Sequence, residues 1–311
     1  MSGIAVLDDY QGRAAEFADW ASLNTPVHYF RDHLEGEALI SAVHDCDVVV
    51  AMRERTQLTA EVLAALPNLE LLVTTGMANA AIDLEAAHNQ GVVVCGTPSS
   101  GVSTVELTWA LLLAAVKHLP LEDHAVRSGA WQTTLAGDLA GKRLGLIGLG
   151  RLGAGMVPIA KAFEMEVVAW SQNLSLERAA EVGVEMITKD ELISTSDVIS
   201  IHVRLSERTR ALIGEREIAM MRPGALLLNT SRGPIVDEDA LVTALRENRI
   251  TAALDVYDIE PLPSSHPLTS LTNVVLAPHL GYASEDTVRS MYTCAVEDIA
   301  AFRAGAPTRG L

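Results

Sequence analysis

Short, unbroken apolar runs recur along the chain, separated by longer stretches rich in Ala, Leu and Glu. The first runs lie in GIAVLDD, CDVVVAM, LELLVTT and GVVVCGT, divided by segments such as TAEVLAALP and DLEAAHNQ. A strand buried on both faces reads as a continuous apolar run. The alternation therefore predicts a parallel sheet covered by helices on each side. The pattern breaks at STVELTWALLLAAVKHL, which predicts one long helix over residues 103–119. Thr108 is almost its only interior polar residue after Glu106. A helix apolar nearly all round must be buried, between domains or between subunits.

The alternation resumes with KRLGLIGLG, MEVVAW, SDVISIH, GALLLNTS, ITAALDV and NVVLAPH, six strands spaced as in a complete dinucleotide-binding fold. A final helix is expected over residues 284–304. The prediction is α/β throughout: two Rossmann-like domains with parallel sheets. The nucleotide domain spans 98–284. The other is discontinuous, 1–97 plus 285–311, because the last helix returns to it.

GLGRLG places Gly148, Gly150 and Gly153 at GxGxxG spacing, with Arg151 and Leu152 between them. That spacing alone is weak. Here it follows the apolar strand RLGLI and opens the helix RLGAGMVPIAKAF, the context in which it carries meaning. The first glycine permits the tight turn, the second admits a pyrophosphate to the backbone, and the third lets helix and strand pack closely. The helix N-terminus offers free N–H groups to the phosphates. Pro158, about two turns in, predicts a kink rather than a break. At the end of the second strand an acid would bond the adenosine ribose and repel a 2′-phosphate. The residues there are Ser171, Gln172 and Asn173. Neither the acid that selects NAD nor an immediately following Arg that selects NADP is present; Arg178 is the nearest. Relaxed cofactor choice is expected, with NAD ahead.

Charge narrows the partners. Forty acids against 23 bases give a net charge of −17. That excess disfavours nucleic acid and anionic membranes. The N-terminal MSGIAVLDDYQG reads as a strand entering an acidic loop, so no signal peptide is expected. Cys46, Cys95 and Cys294 form no CxxC motif and the histidines no HExxH, so no metal site is expected and a cytoplasmic setting fits.

Three further segments each end a predicted strand, on the sheet edge where the glycine loop lies. LLLNTSRGPIVDEDAL carries Arg232, AALDVYDIEPLP carries Asp255 and Glu260, and NVVLAPHLGYAS carries His279. A guanidinium, a carboxylate and an imidazole beside a nicotinamide site suit reduction of a 2-keto acid. An imidazolium can give the carbonyl oxygen its proton and act as base in reverse. A bonded carboxylate orients it and favours its charged form. An arginine can grip the substrate carboxylate in a planar fork.

On GLGRLG, HVRLSERTRALIG, MMRPGALLLNTSRGPIVDEDAL, ALDVYDIEPLP and APHLGYAS, in that order, the chain resembles the D-isomer-specific 2-hydroxyacid dehydrogenase family over nearly its whole length. The resemblance implies an NAD(P)-dependent oxidoreductase acting on a small 2-keto or D-2-hydroxy acid. It makes Arg232 the substrate-binding arginine, Glu260 the partner carboxylate and His279 the acid/base. Asp255 would bond the nicotinamide carboxamide. His202, Val203, Thr209, Thr230, Ser231, Gly281 and Thr104 would line the cofactor. VTTGMANAAIDLEAA would offer backbone N–H groups to the substrate carboxylate, placing Thr75, Gly76 and Met77 there, and MRERT would bring Arg53. Tyr10, Met52, Met77 and Tyr282 suggest a moderately apolar cavity. The family is mostly dimeric through the long helix, so a homodimer is expected. Glu260-Pro261 argues against formate, whose dehydrogenases carry Gln-Pro. Two alternatives keep the same fold: a phosphite dehydrogenase, which shares Arg, Glu and His, and an NAD-binding sensor or corepressor.

Overall fold

The computed structural model describes residues 3–311. Its contacts divide the chain into two compact units, Met1–Ser100 with Ser284–Leu311, and Gly101–Ala283.

In the first unit, strands β1 (Ile4–Val6), β2 (Val27–Tyr29), β3 (Val48–Ala51), β4 (Leu71–Thr74) and β5 (Val93–Gly96) form one parallel sheet in the order β2-β1-β3-β4-β5. β1, β3 and β4 are buried at every position, as their unbroken apolar runs require. β2 was not legible in the sequence: it is a half-exposed edge strand and carries no such run. The helix Glu285–Arg303 closes the unit. Ser284 caps it by accepting the Thr287 N–H, satisfying one of the orphan donors of the first turn.

The second unit holds β6 (Arg143–Ile147), β7 (Glu166–Trp170), β8 (Glu185–Met186), β9 (Val198–Ile201), β10 (Leu226–Asn229), β11 (Thr251–Leu254) and β12 (Val274–Leu276). All pair in parallel, in the order β12-β11-β10-β9-β6-β7-β8. Seven strands replace the six expected from sequence. The extra one, β8, is two residues long at the sheet edge. The strand order reverses between β6 and β9, and ligands of such sheets bind in the crevice at that point.

The long helix is shorter than expected. It runs Val102–Val116, and a second helix, Leu119–Arg127, leaves it at 62°. His118 takes a left-handed conformation, φ 52°, and Pro120 sits in the first turn of the new helix. A proline disfavours helical geometry in the residue before it and is tolerated in a helix's first turn, so the chain must restart there. Trp109, Leu111 and Leu112 pack into a core with Met156, Val157 and Ala160 of the helix Arg151–Ala162. That helix runs through Pro158 without a break. Among the described residues, no single helix is long and apolar enough to cross a membrane.

Candidate active site

The glycine loop leaves β6 where β6 and β9 adjoin. Gly148 has φ +102°, which L side chains rarely adopt, and a Cβ there would meet the His202 carbonyl oxygen at 2.7 Å. A Cβ on Gly153 would strike the Gly148 carbonyl oxygen, whereas one on Gly150 would meet nothing within 4 Å. Tight turn, open approach and close packing are thus distributed over the three glycines as a dinucleotide pyrophosphate requires. The helix ladder begins with the Ala154 N–H bonding the Gly150 carbonyl, so the amides of Arg151, Leu152 and Gly153 precede it. The side chains of Arg151 and Leu152 pack over Gly101 instead of facing the open side of Gly150. The residues present fit a dinucleotide.

β7 ends at Trp170, and the turn that follows is closed by the Leu174 N–H bonding the Ser171 carbonyl at 3.1 Å. Ser171 is half-buried; Gln172 and Asn173 are exposed. Arg178 pairs with Glu181, 3.2 Å away on its own helix.

Beyond β9, the His202 N–H bonds the Ile147 carbonyl at 2.7 Å and its Nε2 lies 2.9 Å from Ser200 Oγ. The residue keeps some surface, but burial of the ring pushes its pKa down to about 4, so His202 is neutral at physiological pH. The Ser231 hydroxyl donates to the Val203 carbonyl, joining the β9 and β10 loops. Thr209 closes its own loop: its hydroxyl donates to the Arg204 carbonyl at 2.7 Å and accepts the Ser206 N–H at 2.8 Å. Thr104 donates to the Gly281 carbonyl at 2.7 Å, and Thr108 lies 2.8 Å from the Thr230 hydroxyl. These hydroxyls fasten the long helix to the strand ends.

The three candidate catalytic side chains belong to one continuous set of contacts. Glu260 Oε2 is 2.6 Å from His279 Nδ1, and Glu260 Oε1 accepts the Tyr257 N–H at 3.0 Å. Tyr257 backbone in turn lies against Gly233, where no Cβ would fit. Gly233 follows Arg232, whose Nη1 donates to the Ser231 carbonyl at 2.6 Å. Asn229, 1% exposed, clamps this loop: its Nδ2 donates to the Arg232 carbonyl at 2.8 Å and its Oδ1 accepts the Ser231 N–H at 3.0 Å. Sequence reasoning missed this residue, whose only signal is a buried amide ending an apolar strand.

His279 has φ +55°, an unusual conformation for a non-glycine residue that costs about 1–3 kcal/mol unless its surroundings hold it. Asp255 does much of the holding. It is fully buried, and its two carboxylate oxygens accept the Leu280 and Gly281 N–H groups at 2.6 and 2.8 Å. The resemblance implies a contact with the nicotinamide carboxamide here; in the structure the same carboxylate also holds the His279 loop. Burial raises the Asp255 pKa from 3.8 to about 6, against the pull of those two N–H groups and of His279. The native chain therefore binds this proton more tightly than the unfolded chain. The resulting stability is complete below about pH 4, is lost as pH rises through about 6, and amounts to roughly 3 kcal/mol. Asp255→Asn removes the titration, so urea unfolding should show a wider stability gap between wild type and variant at pH 4 than at pH 7. Equal gaps would uncouple Asp255 ionisation from folding.

The first unit holds the remaining candidates at the carboxyl ends of β3 and β4. Arg53 N–H bonds Thr75 Oγ1 at 2.9 Å, Arg53 Nη1 donates to the Thr75 carbonyl at 3.2 Å, and the guanidinium lies where a Gly76 Cβ would be. Thr75 N–H bonds the Ala51 carbonyl and Gly76 N–H the Thr74 carbonyl. Two of the three expected backbone donors thus already have partners, one on β3 and one at the end of β4, while Met77 is exposed. Met52 is buried, its sulfur accepting the Thr75 hydroxyl at 3.2 Å, so it packs the core instead of lining a cavity. Asn79, also missed from sequence, donates to the Arg53 carbonyl and to Thr74 Oγ1 and fixes both loops.

Residues 109–281 match the family described as D-isomer specific 2-hydroxyacid dehydrogenase, NAD binding domain. Glyoxylate reductase of Aeropyrum pernix is 39% identical over 282 residues, covering 86% of this chain and 83% of that one. D-3-phosphoglycerate dehydrogenase of Archaeoglobus fulgidus is 37% identical over 277 residues, covering 88% of this chain; the chain spans only 52% of that relative. The crystal structure of phosphoglycerate oxidoreductase from Vibrio cholerae superposes with a TM-score of 0.94 at 35% identity, covering 98% of this chain and 100% of that one.

Proposed function

Because the chain belongs to the D-isomer specific 2-hydroxyacid dehydrogenase family, NAD(P)-dependent enzymes of hydride transfer, we propose that it interconverts a small 2-keto acid and its D-2-hydroxy acid through His279, Glu260 and Arg232. A nicotinamide dinucleotide held at Gly148, Gly150 and Gly153 would supply the hydride for reduction and take it in reverse. His279 gives the proton to the carbonyl oxygen from Nε2, since Nδ1 faces Glu260. Glu260 holds the ring in that orientation and stabilises its charged form. Arg232 grips the substrate carboxylate and polarises the carbonyl. In the first unit, the turn at residues 75–77 and the Arg53 guanidinium against it are the proposed substrate contacts. This division makes residues 1–97 with 285–311 the substrate domain and 98–284 the cofactor domain. The observation that carries the reading is the 2.6 Å Glu260–His279 bond, tied through Tyr257 and Gly233 to the Arg232 loop.

The test is initial-rate oxidation of NADH and NADPH across 2-keto acids of rising side-chain size. Glyoxylate comes first, because a relative named for it aligns over most of its own length. Turnover of a keto acid supports the proposal. Silence with cofactor binding intact would sink it and favour phosphite or a sensor that does not turn over.

With no carboxylate at residues 171–173, nothing there repels a 2′-phosphate. Ser171→Asp is therefore expected to raise the NADH/NADPH ratio of kcat/KM by roughly tenfold, the worth of about 1.4 kcal/mol. An unchanged ratio would move the discriminating group elsewhere.

The dimer reading rests on exposed apolar side chains along the long helix and the segment after it. Val102 and Leu119 are each 56% exposed, Trp131 77% and Leu135 95%. A second copy covering these side chains would remove them from water. Light scattering at micromolar concentration should give twice the 33.2 kDa chain mass; a monomer would refute the dimer.

A further inference from the structure

We infer that residues 308–311 act as a strap that positions the turn at residues 75–77, with Leu311 as the positioning side chain; the inference rests on the proposal that this turn meets the substrate.

β5 is the edge of the first sheet, and its outer side is not left open. Gly96 N–H bonds the Arg309 carbonyl at 2.9 Å, Leu311 N–H bonds the Val94 carbonyl at 3.0 Å, and Cys95 pairs with Gly310 in antiparallel register. Covering an edge satisfies its backbone groups, but this strap also carries a specific anchor. Arg309 Nε donates to Asp298 Oδ1 at 2.8 Å, and the Thr308 hydroxyl donates to the same oxygen at 2.9 Å. Arg309 Nη2 adds bonds to the Cys294 carbonyl at 2.9 Å and to Glu297 at 3.0 Å. Asp298 is fully buried, and a buried carboxylate that loses its cation is strongly penalised. The strap is therefore fixed in register along β5, not merely laid on it.

What that register places is Leu311. A Cβ built on Gly96 would lie 2.5 Å from the Gly76 carbonyl oxygen, 3.1 Å from Met77 Cα and 3.2 Å from Leu311 Cδ1. The turn and the Leu311 methyl therefore crowd the same face of Gly96. Gly76, with φ +146°, can take its shape only as glycine. Arg53 lies against Gly76, and Leu311 closes on the Gly96 face. Interiors at this density transmit displacement, so shortening Leu311 relaxes the backing of the turn without touching any cofactor-binding residue.

The experiment compares Leu311→Ala, Leu311→Met and Gly76→Ala by steady-state kinetics with the best keto acid of the panel. Leu311→Ala should raise the keto-acid KM by about 10-fold, the scale of a sub-ångström misplacement. Its kcat and the KM for reduced cofactor should stay within about twofold, as expected for lost uniform binding. Leu311→Met should restore most of the KM. Gly76→Ala tests the underlying reading, because it distorts the turn itself. If Gly76→Ala raises the KM and Leu311→Ala does not, the strap inference is wrong and the reading of the turn stands. If folded Gly76→Ala leaves the KM unchanged, the reading of the turn fails and takes the strap with it. Equal loss across kcat and both KM values in Leu311→Ala would show a general structural role and overturn positioning.

Discussion

Replacing His279 by alanine is expected to lower keto-acid reduction by about 10²–10⁴-fold, the usual contribution of a positioned acid/base, while cofactor binding persists. The persistence follows from location. The residues that shape the pyrophosphate turn, Gly148, Gly150 and Gly153, follow β6, and His279 follows β12, at the far edge of the same sheet. The loss follows from how the imidazole is held. Nδ1 is committed to Glu260, so the proposed proton transfer uses Nε2. Glu260→Gln should fall less far than His279→Ala, because an amide still bonds the ring but no longer stabilises its charge. The checks are single-turnover rates for the chemical step and fluorescence titration for the reduced cofactor. Turnover of His279→Ala within a few-fold of wild type would remove the imidazole from the proton transfer. Loss of cofactor binding in parallel would show instead that the left-handed residue at this position organises the wider loop.

The sequence made some of this architecture visible and hid the rest for definite reasons. β10 and β11 announce themselves through the apolar runs Leu226–Leu228 and Ala252–Leu254, as strands covered on both faces require. β2 and β8 do not, since an edge position relaxes that demand. The helix expected over residues 103–119 stops just before Pro120; the observed end at Val116 comes three residues earlier, where His118 turns left-handed. Side chains that act by hydrogen-bonding loop backbone were the least visible. Asn79 looks like an ordinary turn residue and Asn229 like the polar end of a strand, and only the fold shows that each clamps a loop carrying a candidate ligand group. Asp255 was singled out, yet its local pattern held no hint that both oxygens serve the amides after His279. Spacing places residues at a sheet edge; which hydrogen bonds they complete there depends on neighbours distant in sequence.

Gly233→Ala is expected to cost about 10²-fold in kcat/KM, although the glycine carries no chemistry, because a displacement near 1 Å is enough for a loss of that size. A Cβ here would fall within the Tyr257 carbonyl group and 2.6 Å from the Asp258 nitrogen, closer than real Cβ atoms approach. Both neighbours are backbone, so no flexible side chain can swing away. Either the Arg232 loop or the Tyr257 loop must shift. Tyr257 N–H holds Glu260, and Glu260 holds His279, so either shift changes where the guanidinium lies relative to the imidazole. Overpacking of this kind destabilises by roughly 1–3 kcal/mol, and thermal unfolding must first show that the variant is folded. The glycine loop follows β6, away from the strain, so affinity for the reduced cofactor should fall less than kcat/KM. A folded Gly233→Ala enzyme with near-normal kcat/KM would mean that the two loops move independently, and that the Glu260–His279 pair is aligned by Asp255 and its own strand end without help from the arginine loop.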